Sequence, residues 1–274
     1  MKRIVSILVL MMLLSNLFGW GGLAHRIITE QAMENLPEEM NISNDWKSYV
    51  MEHCTDPDWR KDETPGEKER HYIDIDFYEE FNRGEMIFEK DELIAKYGEE
   101  VVIDQGVLPW AIMETYQNLV TAFTEQNEKN IQLYASDLAH YIEDGSQPQH
   151  IILNYNGKLT DQPGIHGRYE TDMVRNFEME IRKDMKLNPV EDLELDLKFI
   201  FNYISNTNSL SPIIFAADLQ ALKIAEDYNE EYYKILWFKT EYITKLQLNV
   251  ASKVLGSLIY SAWIDAGRPV IINN

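Results

Sequence analysis

Apolar residues recur at three- and four-residue spacing along most of this chain, which is the pattern of amphipathic helices. The longest such stretch runs from about 229 to 266, and Gly267 and Pro269 after it are a usual helix-stop signal. Further helices are predicted over 24–36, 107–126, 130–144, 170–185, 194–205 and 213–227. The pattern therefore predicts a single all-α domain of many helices.

One segment has the alternation of a β-strand instead, between His71 and Phe77. Because no partner strand is evident, we expect an extended segment that crosses a helical protein. Asn127 and Asn130 are both suitable N-caps for the helix that leads to His140. The sequence does not choose between these two caps.

Residues 1–19 have the organisation of a secretory signal peptide. Two basic residues precede an apolar run over 4–14, which is too short to span a bilayer comfortably. We expect cleavage after Gly19, a secreted or periplasmic location, and a mature domain over 20–274 without a transmembrane anchor. An uncleaved membrane anchor is the alternative interpretation of the same run.

The charge balance limits the classes of partner. The chain has 25 Lys and Arg against 46 Asp and Glu, a formal net charge of −21. This argues against tight, sequence-independent nucleic-acid binding and against docking on anionic lipid. The single cysteine, Cys54, excludes an intramolecular disulfide and a Cys-rich zinc module.

Two pairs of a histidine and a carboxylate stand four residues apart. They are His140 with Asp144 and His166 with Glu170, and His150 lies between them. On a helix this spacing brings both side chains to one face, where they can chelate one ion. A single pair of this kind is commonly a surface ion pair, but two pairs with a third histidine indicate a metal site. Imidazole and carboxylate without thiolate are typical of catalytic zinc sites.

Two further histidines lie upstream in similar company. His25 follows Trp20 by five residues, and His71 follows an acidic loop that contains Asp58. If Trp20 is the mature N-terminus, its amine and its carbonyl oxygen can chelate an ion alongside His25. The alternatives are a solvent-facing helix position for His25 and a turn position for Asp58.

Taken together, these residues resemble the ligand set of the zinc-dependent phospholipase C and P1/S1 nuclease superfamily. The order, the residue types and the local spacings agree at Trp20, His25, Asp58, His71, His140, Asp144, His150, His166 and Glu170. The resemblance implies a single all-helical domain of that type, with three Zn²⁺ per chain, that hydrolyses phosphodiesters. His53 is the histidine that stays outside the set.

The resemblance also implies how the ligands are divided. The implied sets are Asp58, His71, His140 and Asp144 for one zinc, Trp20, His25 and Asp144 for the second, and His150, His166 and Glu170 for the third. A zinc-bound hydroxide would attack phosphorus, with Asp58 and Asp144 as the catalytic residues.

Two substrate classes remain open, a phospholipid headgroup and a nucleotide phosphodiester. The segments 70–76 and 154–157 look most like bacterial phospholipase C proteins, and Trp59 would face a choline headgroup. Tyr72 and Asp74 resemble the base pocket of the single-strand nucleases and 3′-nucleotidases. Ordinary packing or solvation explains these three side chains equally well.

We favour the phospholipase C type by a modest margin and keep the nuclease as the alternative. A secreted metal-binding protein without activity is a second alternative. Missing ligands would favour it, and none is missing.

Overall fold

The computed structural model describes residues 20–271, and every regular element in that range is helical. The prediction of a single all-α domain is confirmed for this range. The predicted signal peptide, residues 1–19, lies outside the described residues. None of the described helices combines the length and the apolar character needed to cross a bilayer.

Fourteen α-helices follow one another along the described chain. They are α1 (Gly22–Asn35), α2 (Asn44–His53), α3 (Asp56–Arg60), α4 (Glu79–Arg83), α5 (Lys90–Tyr97), α6 (Glu99–Asp104), α7 (Leu108–Thr124), α8 (Glu128–Gly145), α9 (Ile165–Gly167), α10 (Val174–Asn176), α11 (Glu178–Asp184), α12 (Leu197–Asn208), α13 (Ser211–Ala225) and α14 (Glu230–Asp265). The two shortest helices, α9 and α10, flank a π-helical turn at Arg168–Met173. Single 3₁₀ turns occur at Glu38–Met40, Lys68–His71, Ile75–Phe77, Pro148–His150 and Lys158–Thr160.

All of the predicted helical ranges have a counterpart among these helices. The range 170–185 is the least regular, because the π-helical turn and a break at Phe177 divide it. The N-cap of the helix that leads to His140 is Asn127, whose side chain accepts a hydrogen bond from Asn130 N at 3.2 Å. This contact decides the choice of N-cap that the sequence left open.

The helices α7 and α8 pack against each other and, with α2 and α14, enclose the larger part of the core. The side of α8 that carries Leu138, Ala139 and Ile142 is buried there. A second apolar cluster gathers Ile27, Ile28 and the first half of α14 around the π-helical turn. Since α1 contributes residues to both clusters, it lies where the two meet.

The segment between His71 and Phe77 forms no strand within the described range, and the predicted extended segment is confirmed only over 72–74, because Ile75–Phe77 is a 3₁₀ turn. Its backbone bonds to separate segments: Ile73 N donates to His150 O at 2.9 Å and Asp74 N donates to Gln105 O at 2.7 Å. This crossing holds His71 beside His150, although the two residues are 79 positions apart in the sequence.

Candidate metal centre

The last two turns of α8 present His140 and Asp144 side by side. Both side chains are fully buried, and His140 Nε2 lies 3.3 Å from Asp144 Oδ2. The i, i+4 spacing on a regular helix produces this arrangement. Helix α8 therefore delivers a nitrogen and a carboxylate to one point inside the protein.

The second pair lies at the start of the π-helical turn. His166 Nε2 is 2.8 Å from Glu170 Oε2, and Gln147 Nε2 donates to the same oxygen at 2.9 Å. Single π-helical turns interrupt α-helices most often at functional sites. Here the turn holds Glu170 in the interior next to the chain that leaves α8.

Eight of the predicted ligands fall into three groups whose donor atoms lie within 4.8 Å of one another. The groups are His25, His140 and Asp144; Asp58, His71 and His140; and His150, His166 and Glu170. All of these side chains are buried. The structure thus brings His140 to two groups, whereas the resemblance assigned it to one zinc.

The groups are in contact with one another. His71 Nδ1 lies 3.0 Å from Asp144 Oδ2, and His150 Nδ1 lies 3.6 Å from Asp144 Oδ1. His166 Nε2 lies 3.1 Å from His150 Nε2. The donors form one continuous cluster with Asp144 at its centre.

Each of three histidines is fixed through its second ring nitrogen. His140 Nδ1 donates to the carbonyl oxygen of Cys54 at 2.8 Å, and His150 Nδ1 donates to that of His71 at 2.7 Å. His25 Nδ1 lies 2.5 Å from Glu143 Oε2. Partners of this kind set the tautomer and the ring orientation of metal-binding histidines.

The donor atoms meet a simple test of fit for a cation. Among the described residues, these buried atoms have no hydrogen-bond partner: His25 Nε2, Asp58 Oδ2, His71 Nε2, both Asp144 carboxylate oxygens and His166 Nδ1. Buried polar atoms without partners are rare because they are costly. An ion in the cluster would give several of them a partner, so these buried groups can hold metal ions.

Burial keeps most of the histidines in the cluster neutral, which is the form in which imidazole binds a metal ion. It lowers the pKa of His166 to about 4 and lowers those of two other histidine ligands, while it raises the pKa of Glu170 to about 8. Burial disfavours the charged form of His140 too, but the carboxylates of Asp144 and Asp58 raise its pKa to about 9. Positive charge is therefore stabilised at His140, beside these two carboxylates.

Trp20 lies beside the end of α8. It is fully buried, its Nε1 donates to Ser146 Oγ at 2.7 Å, and its ring centroid is 5.8 Å from that of Tyr169. A Cβ on Gly21 would lie 2.5 Å from Thr171 Oγ1, so only glycine permits this close approach to the π-helical turn. The predicted use of the Trp20 amine depends on cleavage after Gly19, which lies outside the described residues.

A cleft of about 420 Å³ opens from the cluster. Its lining residues are Lys61, Asp62, Lys68, His71, Tyr72, Asp74, Asp104, Gln149, His150, Tyr155 and His166. Of the three predicted substrate contacts, Tyr72 and Asp74 therefore line the cleft. Trp59 is 70% exposed and is not among the described residues that line it.

His53, which the sequence set aside, lies at the surface. It is stacked on Tyr49, and its Nδ1 is 2.7 Å from Asp56 Oδ2. It belongs to none of the donor groups found among the described residues.

The sequence interpretation missed Glu143, Thr29 and Lys61. Glu143 and Thr29 are buried behind His25, and Lys61 Nζ lies 3.1 Å from Asp58 Oδ1 at the cleft. A sequence signal exists for Thr29, since it stands four residues after His25 and so shares its helix face. Glu143 gives no such signal, because it looks like an ordinary charged helix residue.

Comparison with protein-family models gives no match for this chain, and comparison with curated proteins gives none. The assignment of a function therefore depends on the sequence pattern and on the geometry of the described residues.

Proposed function

We propose that this chain is a zinc-dependent phosphodiester hydrolase of the phospholipase C and P1/S1 nuclease type. The observation that carries the proposal is the arrangement of three histidine and carboxylate groups around Asp144, at the inner end of a cleft. Three of the ligands, His71, His150 and His166, line that cleft, so a substrate can reach the cluster. Catalytic metal sites differ from structural ones in keeping such an open side.

The proposed ligand sets follow the resemblance, and the distances within the cluster support them. They are Asp58, His71, His140 and Asp144; His150, His166 and Glu170; and His25 and Asp144 with the amine and carbonyl of Trp20 after removal of residues 1–19. When bound, zinc would lower the pKa of a water ligand and offset the negative charge of a phosphodiester.

Asp58 and its neighbour Lys61, which lines the cleft, have roles of their own. Asp58 Oδ1 lies 3.1 Å from Lys61 Nζ, while Asp58 Oδ2 is buried without a hydrogen-bond partner in the described range. Asp58 can hold an ion through one oxygen and take the proton of the attacking water through the other, while Lys61 offers a positive charge to a non-bridging phosphate oxygen. The water oxygen bonds to phosphorus as the bond to the leaving alkoxide breaks. The alkoxide then gains the proton that Asp58 took from the water, giving a phosphomonoester and an alcohol.

The first candidate substrate is a phospholipid. The segments 70–76 and 154–157 support it, since they look most like bacterial phospholipase C proteins. Its headgroup phosphodiester would enter the cleft, and hydrolysis would release diacylglycerol. The acidic surface does not oppose a zwitterionic lipid, which carries no net charge.

The second candidate is a single-stranded nucleic acid or a nucleotide, and one observation favours it. Tyr72 and Asp74 both line the cleft, whereas Trp59, the aromatic side chain attributed to a choline site, does not. An aromatic ring and a carboxylate together can stack on a base and accept its amino hydrogens. The net charge of −21 argues against tight binding of long polyanions, so short oligonucleotides are the better form of this substrate.

The test combines metal analysis with two substrates. Natively purified protein is expected to carry about three zinc ions per chain. It is then assayed on a phosphatidylcholine emulsion and on single-stranded DNA, together with His140→Ala and the surface control His53→Ala. Hydrolysis of either substrate that is lost in His140→Ala and kept in His53→Ala supports the proposal.

The outcomes separate the alternatives. Diacylglycerol release without DNA cleavage assigns the phospholipase type, and the reverse assigns the nuclease type. About three zinc ions without hydrolysis of either substrate would indicate the inactive metal-binding protein. One zinc ion or none would contradict the trinuclear site.

A further inference from the structure

Behind the metal cluster lies a buried carboxylate that the proposed function does not use. Glu143 is fully buried on α8. Its Oε1 accepts a hydrogen bond from Thr29 Oγ1 at 2.6 Å, and its Oε2 lies 2.5 Å from His25 Nδ1. Both carboxylate oxygens are therefore directed at α1, away from the cleft.

The carboxylate has no basic side chain as a counter-charge. Between residues 20 and 271, no lysine or arginine forms an ion pair with Glu143, and its one charged contact is His25. Removing a carboxylate from water without a counter-charge is costly. An ion bound to the other ring nitrogen of His25 would supply that counter-charge through the imidazole.

The orientation of His25 shows how that can occur. When Glu143 is ionised, its oxygens only accept hydrogen bonds, so His25 Nδ1 donates to it and Nε2 keeps its lone pair for an ion. Nε2 is buried, has no hydrogen-bond partner in the described range, and lies 3.7 Å from Asp144 Oδ1. The ring is also stacked on His140, with centroids 4.3 Å apart.

The other fixed histidines differ from His25 in one respect. The Nδ1 atoms of His140 and His150 bond to backbone carbonyl oxygens, which are neutral acceptors. The Nδ1 atom of His25 instead meets a carboxylate oxygen of Glu143. A carboxylate partner makes the opposite ring nitrogen a stronger ligand than a carbonyl partner does.

We propose that Glu143 is a positioning residue that orients His25 and increases its strength as a ligand for an ion held by His25, His140 and Asp144. Thr29 anchors Glu143 by its hydrogen bond, Glu143 orients His25, and His25 would bind the ion. The inference rests on the metal-binding part of the proposed function and is independent of the substrate.

The test measures binding of Zn²⁺ alone to the metal-free full chain, in competition with a chromophoric chelator. Glu143→Gln keeps the shape and an acceptor but removes the charge, and Glu143→Ala removes both. We expect one zinc ion to bind about 10-fold more weakly in Glu143→Gln and about 100-fold more weakly in Glu143→Ala. Asp56→Asn is the matched control, because it removes a carboxylate 2.7 Å from the surface histidine His53.

A second readout separates positioning from packing. Co²⁺ in place of Zn²⁺ reports ligand strength through its visible absorption, and this spectrum should change in Glu143→Gln but not in Asp56→Asn. Circular dichroism of the metal-free variants checks the fold. If neither Glu143 variant folds, Thr29→Val, which leaves the carboxylate but removes its anchor, should weaken the same ion.

Each result bears on a different claim. Zinc binding and Co²⁺ spectra of Glu143→Gln identical to those of the unchanged protein would overturn the role of Glu143 and leave the proposed function intact. An unchanged protein that binds no zinc would overturn both.

Discussion

Asp144 Oδ2 lies 3.0 Å from His71 Nδ1, so the end of α8 and the 3₁₀ turn at Lys68–His71 meet at one carboxylate. The other oxygen of Asp144 lies 3.6 Å from His150 Nδ1 and 3.7 Å from His25 Nε2. One side chain thus contacts a member of each donor group. We infer that the groups depend on Asp144 more than on any single histidine.

Replacement of this carboxylate should therefore affect more than one ion. We expect Asp144→Asn to lose at least two zinc ions per chain and to lower hydrolysis by at least ~100-fold, since it removes a ligand rather than a supporting partner. Elemental analysis of the dialysed protein and a substrate assay measure the two effects. Asp137→Asn, on the same helix, is the control because Asp137 pairs with Arg60. Full zinc content in Asp144→Asn would contradict the central position of this residue.

Removal of the metal should weaken the fold itself. The cluster buries three carboxylates and leaves several donor atoms without hydrogen-bond partners, so the metal-free protein keeps an unfavourable interior. A ligand present at a thousand times its Kd stabilises a protein by ~4 kcal/mol, which corresponds to a fall in Tm of roughly 10 °C on its removal. Thermal unfolding with Zn²⁺ and with excess chelator measures this difference. Asp144→Asn should show a much smaller one, and equal Tm values for the unchanged protein would contradict the prediction.

The ligands could be predicted from the sequence where a single helix positions them. The pairs His140 with Asp144 and His166 with Glu170 follow from the i, i+4 spacing alone. The contact between His71 and His150 could not be derived in this way, because it depends on the path of the extended segment across the fold. Glu143 was missed for the same reason, since only the packing of α1 against α8 gives it a role.

The fold shows the same division. The long helices α7, α8 and α14 have enough turns for an apolar period to be visible, and they were predicted. The short helices α3, α4 and α6 have five or six residues each, too few to display a period. The strand-like alternation after His71 reflects the burial of Ile73 and Ile75, although Ile75 already begins a 3₁₀ turn.

Asp74 should make substrate binding depend on pH. Burial, and then the charges of Asp76 and Asp104, raise the pKa of Asp74 to about 7. Its charged form, which accepts amino hydrogens and attracts cations, therefore appears as the pH rises from 6 to 8. We expect KM for a substrate with an amino or ammonium group to fall roughly 10-fold over this range, and to be flat in Asp74→Asn.

The same shift has a consequence for stability. Because the pKa of Asp74 is higher in the folded protein than in the unfolded chain, the carboxyl group destabilises the fold increasingly as the pH rises from about 4 to about 7. Asp74→Asn should therefore raise Tm at pH 8 and leave it unchanged at pH 3.5. The exposed Asp161→Asn is the control for both measurements. A pH profile of KM that persists in Asp74→Asn would assign it to another group.

Gly106 determines how close the chain comes to Tyr72 at the cleft. Its φ is +87°, and a Cβ at this position would lie 2.1 Å from the carbonyl oxygen of Tyr72, which accepts a hydrogen bond from Leu108 N at 3.2 Å. Gly106→Ala must both adopt an unfavourable φ and push Tyr72 away. We expect it to lower the free energy of unfolding by about 3 kcal/mol and to raise KM, because Tyr72 lines the cleft.

Gly84→Ala separates the two effects. Gly84 has a similar φ of +77°, but a Cβ there would have no neighbour within 4 Å. In this variant the free energy of unfolding should fall by about 1 kcal/mol, the cost of a left-handed backbone conformation for alanine, and KM should be unchanged. Urea unfolding and the substrate assay compare the two proteins. If Gly106→Ala and Gly84→Ala lose equal stability and both keep KM unchanged, Tyr72 can move aside at little cost. The close approach at Gly106 would then not determine the position of Tyr72 in the cleft.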